Sequence, residues 1–180
     1  MFARLDWNLV VTARGGRRHD LVHALRPIVR LVRAGYAEVL VGRADDVDAC
    51  LAAIAARAAA DAVFATEILA RVVPVERTFA LAADFESQLV AEIAPVAAAL
   101  IDRTFHVRVE RRGHKHLARS DALERLLGGT LVDALRGRNH TPRVTFADPD
   151  VIVAVELIGD AAGVGLVPRA LRAQYPFVRL

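Results

Sequence analysis

The sequence predicts a mixed α/β (α+β) protein built from two small units. Short apolar runs bounded by turn-forming residues, such as Trp7–Ala13, predict buried strands. Between them, apolar side chains recur every three or four positions, which predicts helices with one buried face. A clean alternation over Thr104–Arg112 begins a second series. The 180 residues are long enough for two units, and 54% hydrophobic residues with a net charge of +3 exclude an intrinsically disordered protein.

The first unit is predicted to span residues 1–82. Its order of strand, helix, strand, helix and strand, with one further strand, suits a small ferredoxin-like domain. Pro27 is expected to bend the first helix, and Asp45 and Asp46 are expected to cap the second. The predicted elements are a strand at Trp7–Ala13, a helix at His19–Ala34, a strand at Tyr36–Val41, a helix at Asp45–Ala60, a β-rich segment at Val63–Val75 and a short strand at Arg77–Leu81.

The second unit is predicted to span residues 83–180. Leucines at helical spacing follow a cap at Ser120 or Asp121, and Gly128 and Gly129 inside this helix indicate close packing of its backbone. The other predicted elements are a helix at Phe85–Ile101 interrupted at Pro95, strands at Thr104–Arg112 and Arg143–Phe146, a turn at Asp148-Pro149-Asp150, and two final strands at Val151–Ile158 and Ala162–Val167.

Several site types are not expected. Cys50 is the one cysteine, which excludes an internal disulfide framework and a cysteine-based zinc site, and we expect it to be a small buried residue. His114 and His116 have no acidic or thiol ligand at suitable spacing, so we expect no metal. No cofactor, signal peptide or membrane span is predicted, and a cytoplasmic location fits.

Positive charge is concentrated in residues 103–143. Ten basic and four acidic side chains give this segment a charge of +6, so the rest of the chain carries −3 within the total of +3. Such an uneven distribution indicates a phosphate-binding surface. A solvated basic face paired with the acidic half of the chain is the alternative.

A weaker basic feature lies in the first unit. On the predicted first helix, Arg26, Arg30 and Arg33 form a stripe, and whether this stripe touches RNA is left open. Arginines also flank Gly15-Gly16 before that helix, but the spacing matches no nucleotide-binding loop, so an ordinary connection is favoured.

The second unit resembles the THUMP domain of RNA-modifying enzymes. The features that carry the resemblance are the strand Thr104–Arg112, the glycine-containing helix, and the Asp148-Pro149-Asp150 turn before an apolar strand, in this order. The tail at Ala162–Leu166 followed by Pro168 resembles the end of stand-alone THUMP proteins, which pair this domain with a ferredoxin-like one. Those proteins include the tRNA-binding adaptor of tRNA cytidine acetylation.

The resemblance implies RNA binding, chiefly of tRNA, with a separate RNA-modifying enzyme as a further partner. For Asp148 and Asp150 we favour a structural role over a catalytic one, because aspartates in such turns cap nearby backbone amides with their side chains. The oligomeric state is left open. The residues that the resemblance implies as RNA contacts are Arg108, Arg111, Arg112, His114, Lys115, Arg119, Arg136, Arg138 and Arg143.

No catalytic residue is predicted, because the chain contains neither the ATP loop of thiouridine synthases nor the cofactor loop of methyltransferases. We therefore expect a non-enzymatic adaptor. Two alternatives stay open: an enzyme with an unrecognised site at the junction of the two units, or a module for small-molecule binding or oligomerisation. Replacing Arg108 or Arg112 by alanine is predicted to weaken tRNA binding without unfolding the protein.

Overall fold

A computed structural model describes residues 6–113 and 119–180 of the chain. The first sheet and its helices comprise β1 (Leu9–Ala13), α1 (Arg18–Leu25), β2 (Leu31–Arg33), β3 (Val39–Gly42), α2 (Val47–Ala60) and β4 (Leu69–Pro74). The second group comprises β5 (Arg77–Ala80), α3 (Phe85–Ile93), β6 (Thr104–Arg112), α4 (Ser120–Arg136), β7 (Arg143–Val144), β8 (Val151–Ile158), β9 (Ala161–Pro168) and α5 (Arg169–Gln174). The mixed α/β class predicted from the sequence is confirmed.

The first sheet is antiparallel, in the order β2-β3-β1-β4. Its centre is β1, where Val10 lies opposite Val41 on one side and Val73 on the other. Apolar side chains of α1 and α2 pack in the same core. Asp46 caps α2 as predicted, because its carboxylate accepts a hydrogen bond from the amide of Ala49 at 2.9 Å.

The predicted first helix is wrong in its second half. Helix α1 ends at Leu25, and residues 31–33 form β2, which pairs with β3. Pro27 has no amide hydrogen to continue the helix, and the amides of Ile28 and Val29 both turn back to the carbonyl of Leu25. Arg26, Arg30 and Arg33 therefore do not share a helix face.

Two further helical turns are not α-helical. Residues Phe64–Ile68, predicted as part of a β-rich segment, form a π-helical turn before β4. Beyond α3, Ala94–Leu100 form a 3₁₀ turn with Pro95 near its start, so the predicted interruption at this proline is observed.

The second sheet has the order β5-β9-β8-β6-β7. Strands β6, β7 and β8 run parallel, whereas β9 pairs antiparallel with both β8 and β5. Every residue of β8 is buried, because its two faces meet different cores. Val153 and Val155 face α3 and α4, and Ile152 and Ala154 face the first sheet.

The two groups pack directly on each other. Although β5 falls within the predicted first unit of residues 1–82, it pairs with β9 in the second sheet. The end of the chain returns to the first sheet, where Val178 bridges Val72 and the amide of Val72 donates to the carbonyl of Phe177 at 2.9 Å. The sheets are therefore joined both by a shared core and by the C-terminal segment.

No helix within the described ranges 6–113 and 119–180 is both long and apolar enough to cross a bilayer. Cys50 is buried as predicted, and this burial raises the pKa of its thiol.

Candidate nucleic-acid interface

The basic segment is organised around β6. Its apolar side chains, Phe105, Val107 and Val109, are buried toward α4 as the alternation predicts. One edge of β6 pairs with β8, whereas the other pairs with β7 only at its start. Beyond β7, Glu124 of α4 accepts the Val109 amide at 3.0 Å, so a side chain replaces a neighbouring strand. The result is a strand edge that faces a helix.

The predicted RNA contacts form two groups along this strand. Arg108 lies at its middle, Arg111 and Arg112 lie at its carboxyl end, and Arg119 precedes the start of α4; we call these four the carboxyl-end arginines. The amino-end arginines are Arg136, Arg138 and Arg143, which lie where α4 ends and β7 begins. A nine-residue strand spans about 26 Å from first to last residue. The predicted site is thus an extended surface, not a single patch. His114 and Lys115 lie outside the described residues.

Arg112 is bound inside the protein. Its guanidinium forms an ion pair with the fully buried Glu156, and only 12% of its side chain is exposed. Burial raises the pKa of Glu156, and the positive charges of Arg112 and Arg71 oppose that rise. Arg71 in turn pairs with Glu110 at 3.2 Å. These four side chains form a charged cluster between the two sheets. Arg112 is therefore engaged within the protein instead of being exposed to RNA, and its replacement is expected to destabilise the fold.

Arg108 and Arg119 are the accessible members of the carboxyl-end arginines. Arg108 is 48% exposed, and its contacts with Glu124 at 3.5 Å and with Glu110 at 3.7 Å are long. Arg119 is 85% exposed and pairs with Asp121 at 3.0 Å. Exposed ion pairs of this kind are weak, so an RNA phosphate can replace the carboxylate. Arg111 is half-buried and has a contact within the protein.

The amino-end arginines are all exposed. Arg136 lies 4.0 Å from Asp133, at the limit of an ion pair. Because their fork-shaped guanidinium groups carry bidentate donors, these side chains suit phosphate contacts. Arg125, which belongs to the basic segment but not to the predicted contacts, is exposed on α4 and pairs with Asp121 at 2.9 Å. Slight burial works against the shift, but Arg119 and Arg125 hold the pKa of Asp121 below its ordinary value.

A groove of about 390 Å³ lies between α4 and β6, with Arg125 in its lining. Its floor is β6 and its wall is α4, where Gly128 and Gly129 face open space: a Cβ built on either meets no atom within 4 Å. The predicted close packing at these glycines is therefore wrong. Their missing side chains instead keep the groove open.

Phe146 lies at this groove and is 78% exposed. Its ring stacks on His106, with ring centroids 5.2 Å apart and an angle of 26° between the planes. The sequence predicts Phe146 at the end of a strand, whereas β7 ends at Val144. The signal that could have identified it is an aromatic residue two positions before the polar Asp148-Pro149-Asp150 turn.

That turn has the structural role predicted for it, with different partners. Asp150 accepts hydrogen bonds from the amide and the hydroxyl of Thr104, both at 2.7 Å. These bonds come first among the causes that hold the pKa of Asp150 below its ordinary value, and Arg169 adds to them. Asp148 pairs with Arg169 at 3.0 Å. The turn therefore fixes the start of β6 instead of capping itself.

Asp150→Asn is expected to destabilise the protein at neutral pH, and the deficit relative to wild type should shrink below about pH 4. A carboxyl group with a lowered pKa stabilises the fold above its unfolded pKa, and this contribution is lost as the pH falls through the folded value. Urea unfolding of both proteins from pH 3 to pH 7 measures this. A deficit that does not change with pH would contradict the assignment.

Other candidate sites have weaker structural support than the basic surface. At the Gly15-Gly16 loop, the amide of Gly16 donates to Glu38 at 3.1 Å, so a carboxylate occupies a group that a phosphate would need. A cavity of about 610 Å³ lies at the junction between α2 and α5, with Asn8, Asp48 and Glu76 in its lining. Within the described part of the chain, no group of three acidic, histidine or cysteine side chains is placed to hold a metal ion.

Comparison with known proteins identifies a domain in this region. Residues 86–167 match the sequence model of the THUMP domain, and they lie within the second predicted unit, residues 83–180, whose sequence resembles that domain. No curated protein has a matching sequence.

Solved structures share the fold of nearly the whole chain. PH1313 from Pyrococcus horikoshii Ot3 superimposes with a TM-score of 0.62 and 11% identity, over 89% of this chain and 54% of that one. TrmN from Thermus thermophilus superimposes with a TM-score of 0.58 and 20% identity, over 91% of this chain and 47% of that one. A 4-thiouridine synthetase, solved in complex with RNA and ATP, superimposes with a TM-score of 0.52 and 16% identity, over 90% of this chain and 41% of that one. The chain thus spans about half the length of these proteins or less, and at such identities the likeness shows the fold alone.

Proposed function

We propose that this chain, in which a THUMP domain is present at residues 86–167, binds tRNA and presents it to a separate tRNA-modifying enzyme. The domain match supports RNA binding. The observation that carries the proposal on this chain is the extended basic surface, with the exposed Arg108 and Arg119 in one group and the amino-end arginines beside the start of β6 in the other. A 4-thiouridine synthetase that shares this fold has been solved in complex with RNA.

The finer parts of the proposal rest on the architecture. The first sheet, with its β-α-β-β-α-β connectivity, supports a ferredoxin-like domain beside the THUMP domain. An adaptor without its own activity, for example for a cytidine acetyltransferase in the cytoplasm, needs only a surface that holds RNA. A second candidate function is a small-molecule or catalytic site between the two units. The observation that supports it is the junction cavity between α2 and α5.

Wild-type protein is expected to bind total tRNA at low salt, with an affinity that falls steeply as salt rises. Each arginine that neutralises a phosphate releases counterions, so the double variant Arg108→Ala/Arg119→Ala should reduce the slope of log affinity against log salt by about 2. Gel-shift titration of tRNA at four or more salt concentrations measures both the affinity and the slope.

Arg43→Ala is the matched control. Arg43 lies outside the basic segment, is 56% exposed and pairs with Asp6 at 2.7 Å, so its loss removes a surface arginine of similar exposure. We expect it to leave the slope unchanged. Absence of tRNA binding by the wild type at low salt would refute the proposal and favour the junction site.

A further inference from the structure

We propose that Arg71 of the first sheet is a positioning residue for RNA binding by Arg108 of the second sheet. Arg71 holds the carboxylate of Glu110 and thereby leaves Arg108 available to a phosphate. This inference rests on the proposed RNA binding. It adds a way in which the first sheet sets the affinity of the second sheet for RNA without contacting RNA itself.

Glu110 lies between two guanidinium groups. Its Oε2 lies 3.2 Å from the Nη2 of Arg71 on β4, whereas its Oε1 lies 3.7 Å from the Nη2 of Arg108 on β6. The shorter contact is therefore the one that crosses between the sheets. Arg71 and Glu110 are both partly buried, so salt screens this pair less than it screens a pair on the surface. Glu110 is thus bound mainly by Arg71.

A second carboxylate beside Arg108 is occupied in the same way. The Oε1 of Glu124 accepts the amide of Val109 at 3.0 Å, and the same oxygen lies 3.5 Å from the Nη1 of Arg108. Glu110 and Glu124 therefore each have a closer donor than Arg108. Because the interaction of two charges weakens with distance, neither carboxylate holds Arg108 tightly. The guanidinium is free to exchange them for a phosphate.

Arg112 shows the opposite case on the same side of β6. Its partner is Glu156, whose second oxygen, Oε1, has no hydrogen-bond partner within the described residues. The guanidinium of Arg112 is bound to this carboxylate and is largely buried, so it is not available to a phosphate. The two arginines thus differ in whether another donor occupies the carboxylate beside them. Removing Arg71 would bring Arg108 closer to the state of Arg112.

Arg71→Met is expected to lower the affinity for tRNA about threefold at low salt, a factor within the range of a half-exposed ion pair. The reason is that Glu110 then pairs with Arg108 and competes with the phosphate. In a Glu110→Gln background, and in an Arg108→Ala background, Arg71→Met should leave the affinity unchanged, because one of the two competing groups is absent. Fluorescence anisotropy with labelled total tRNA measures each affinity.

Arg57→Met is the matched control. Arg57 also pairs with a carboxylate, that of Asp61 at 2.8 Å, but it lies on α2 outside the basic segment. Its replacement removes one paired arginine from the first sheet and its helices, as Arg71→Met does, and we expect the affinity for tRNA to be unchanged. A loss equal to that of Arg71→Met would show that net charge alone sets the affinity.

A second comparison serves if Arg71→Met does not fold, which circular dichroism and thermal unfolding detect. Arg71→Met/Glu110→Gln removes both charges of the pair and is expected to fold, because it leaves neither partner alone. Glu110→Gln should bind tRNA more tightly than the wild type, since it removes a carboxylate beside Arg108. The double variant should match Glu110→Gln, and a weaker double variant would overturn the proposal.

The outcomes separate this inference from the proposed function. If the wild type does not bind tRNA, the proposed RNA binding fails and this inference fails with it. If the wild type binds tRNA and Arg71→Met lowers the affinity equally in all three backgrounds, or in none, RNA binding stands and the role of Arg71 is overturned. A loss that disappears when Glu110 or Arg108 is replaced supports the proposal.

Discussion

Replacing Arg112 by leucine is expected to lower the free energy of unfolding by about 3–5 kcal/mol. The change leaves the carboxylate of Glu156 buried between the two sheets without its main partner. One oxygen of Glu156 (Oε1) already has no hydrogen-bond partner in the described part of the protein, so the guanidinium of Arg112 is its principal compensation. Urea unfolding at pH 7 measures the loss.

The same variant should recover stability as the pH falls. Burial raises the pKa of Glu156, and removing a positive neighbour raises it further. A carboxyl group whose pKa is raised in the folded state binds its proton more tightly there, so its contribution becomes less favourable as the pH rises above the ordinary value of about 4.3. The deficit of Arg112→Leu relative to wild type is therefore expected to be smaller at pH 5 than at pH 8.

Two control variants test the cause. Arg112→Leu/Glu156→Leu removes both charges and should regain most of the lost stability, since an apolar pair can replace a buried ion pair at little cost. Arg108→Ala, on the same strand but 48% exposed, should change stability by no more than about 0.5 kcal/mol. A single Arg112→Leu variant as stable as wild type would show that Glu156 finds another partner.

The side-chain pattern predicts some strands of the fold correctly and misses others. The alternation of Phe105, Val107 and Val109 correctly predicted both the strand and its buried face, because that face meets apolar partners along its length. Residues 31–33 were assigned to a helix although they form β2. The spacing of their apolar side chains fits either a helix or a strand. Pairing with β3 makes these residues a strand, and the sequence predicts the strand of β3 to begin at residue 36 instead of residue 39.

The candidate site was predictable in its location but not in its members. The charge of +6 in residues 103–143 identifies the surface around β6. Alternation places Arg108 and Arg112 on the same side of the strand, yet one is half-exposed and the other is bound to Glu156, 44 residues away in sequence. Only tertiary contacts distinguish them. Gly128 likewise has the same sequence signature whether a helix packs closely or borders an open groove.

A substitution at the contact between the two sheets is also expected to lower the stability of the protein strongly. Gly165 of β9 lies against the end of β4 and the residue that follows it: a Cβ built on Gly165 would stand 2.6 Å from the carbonyl oxygen of Pro74 and 2.8 Å from the Cα of Val75. Both atoms belong to the backbone and cannot turn aside as a side chain would. Gly165→Ala is therefore expected to cost about 1–3 kcal/mol by forcing the two sheets apart.

Gly128→Ala is the matched control for this variant, because it makes the same chemical change at a position with open space. In the helix interior it should stabilise the protein by up to about 1 kcal/mol, opposite in sign to Gly165→Ala. Thermal and urea unfolding of both variants measure the difference. If both glycines tolerate alanine equally, the sheets are not in close contact at Gly165, and the shared core, the C-terminal segment and the charged cluster join them without that contact.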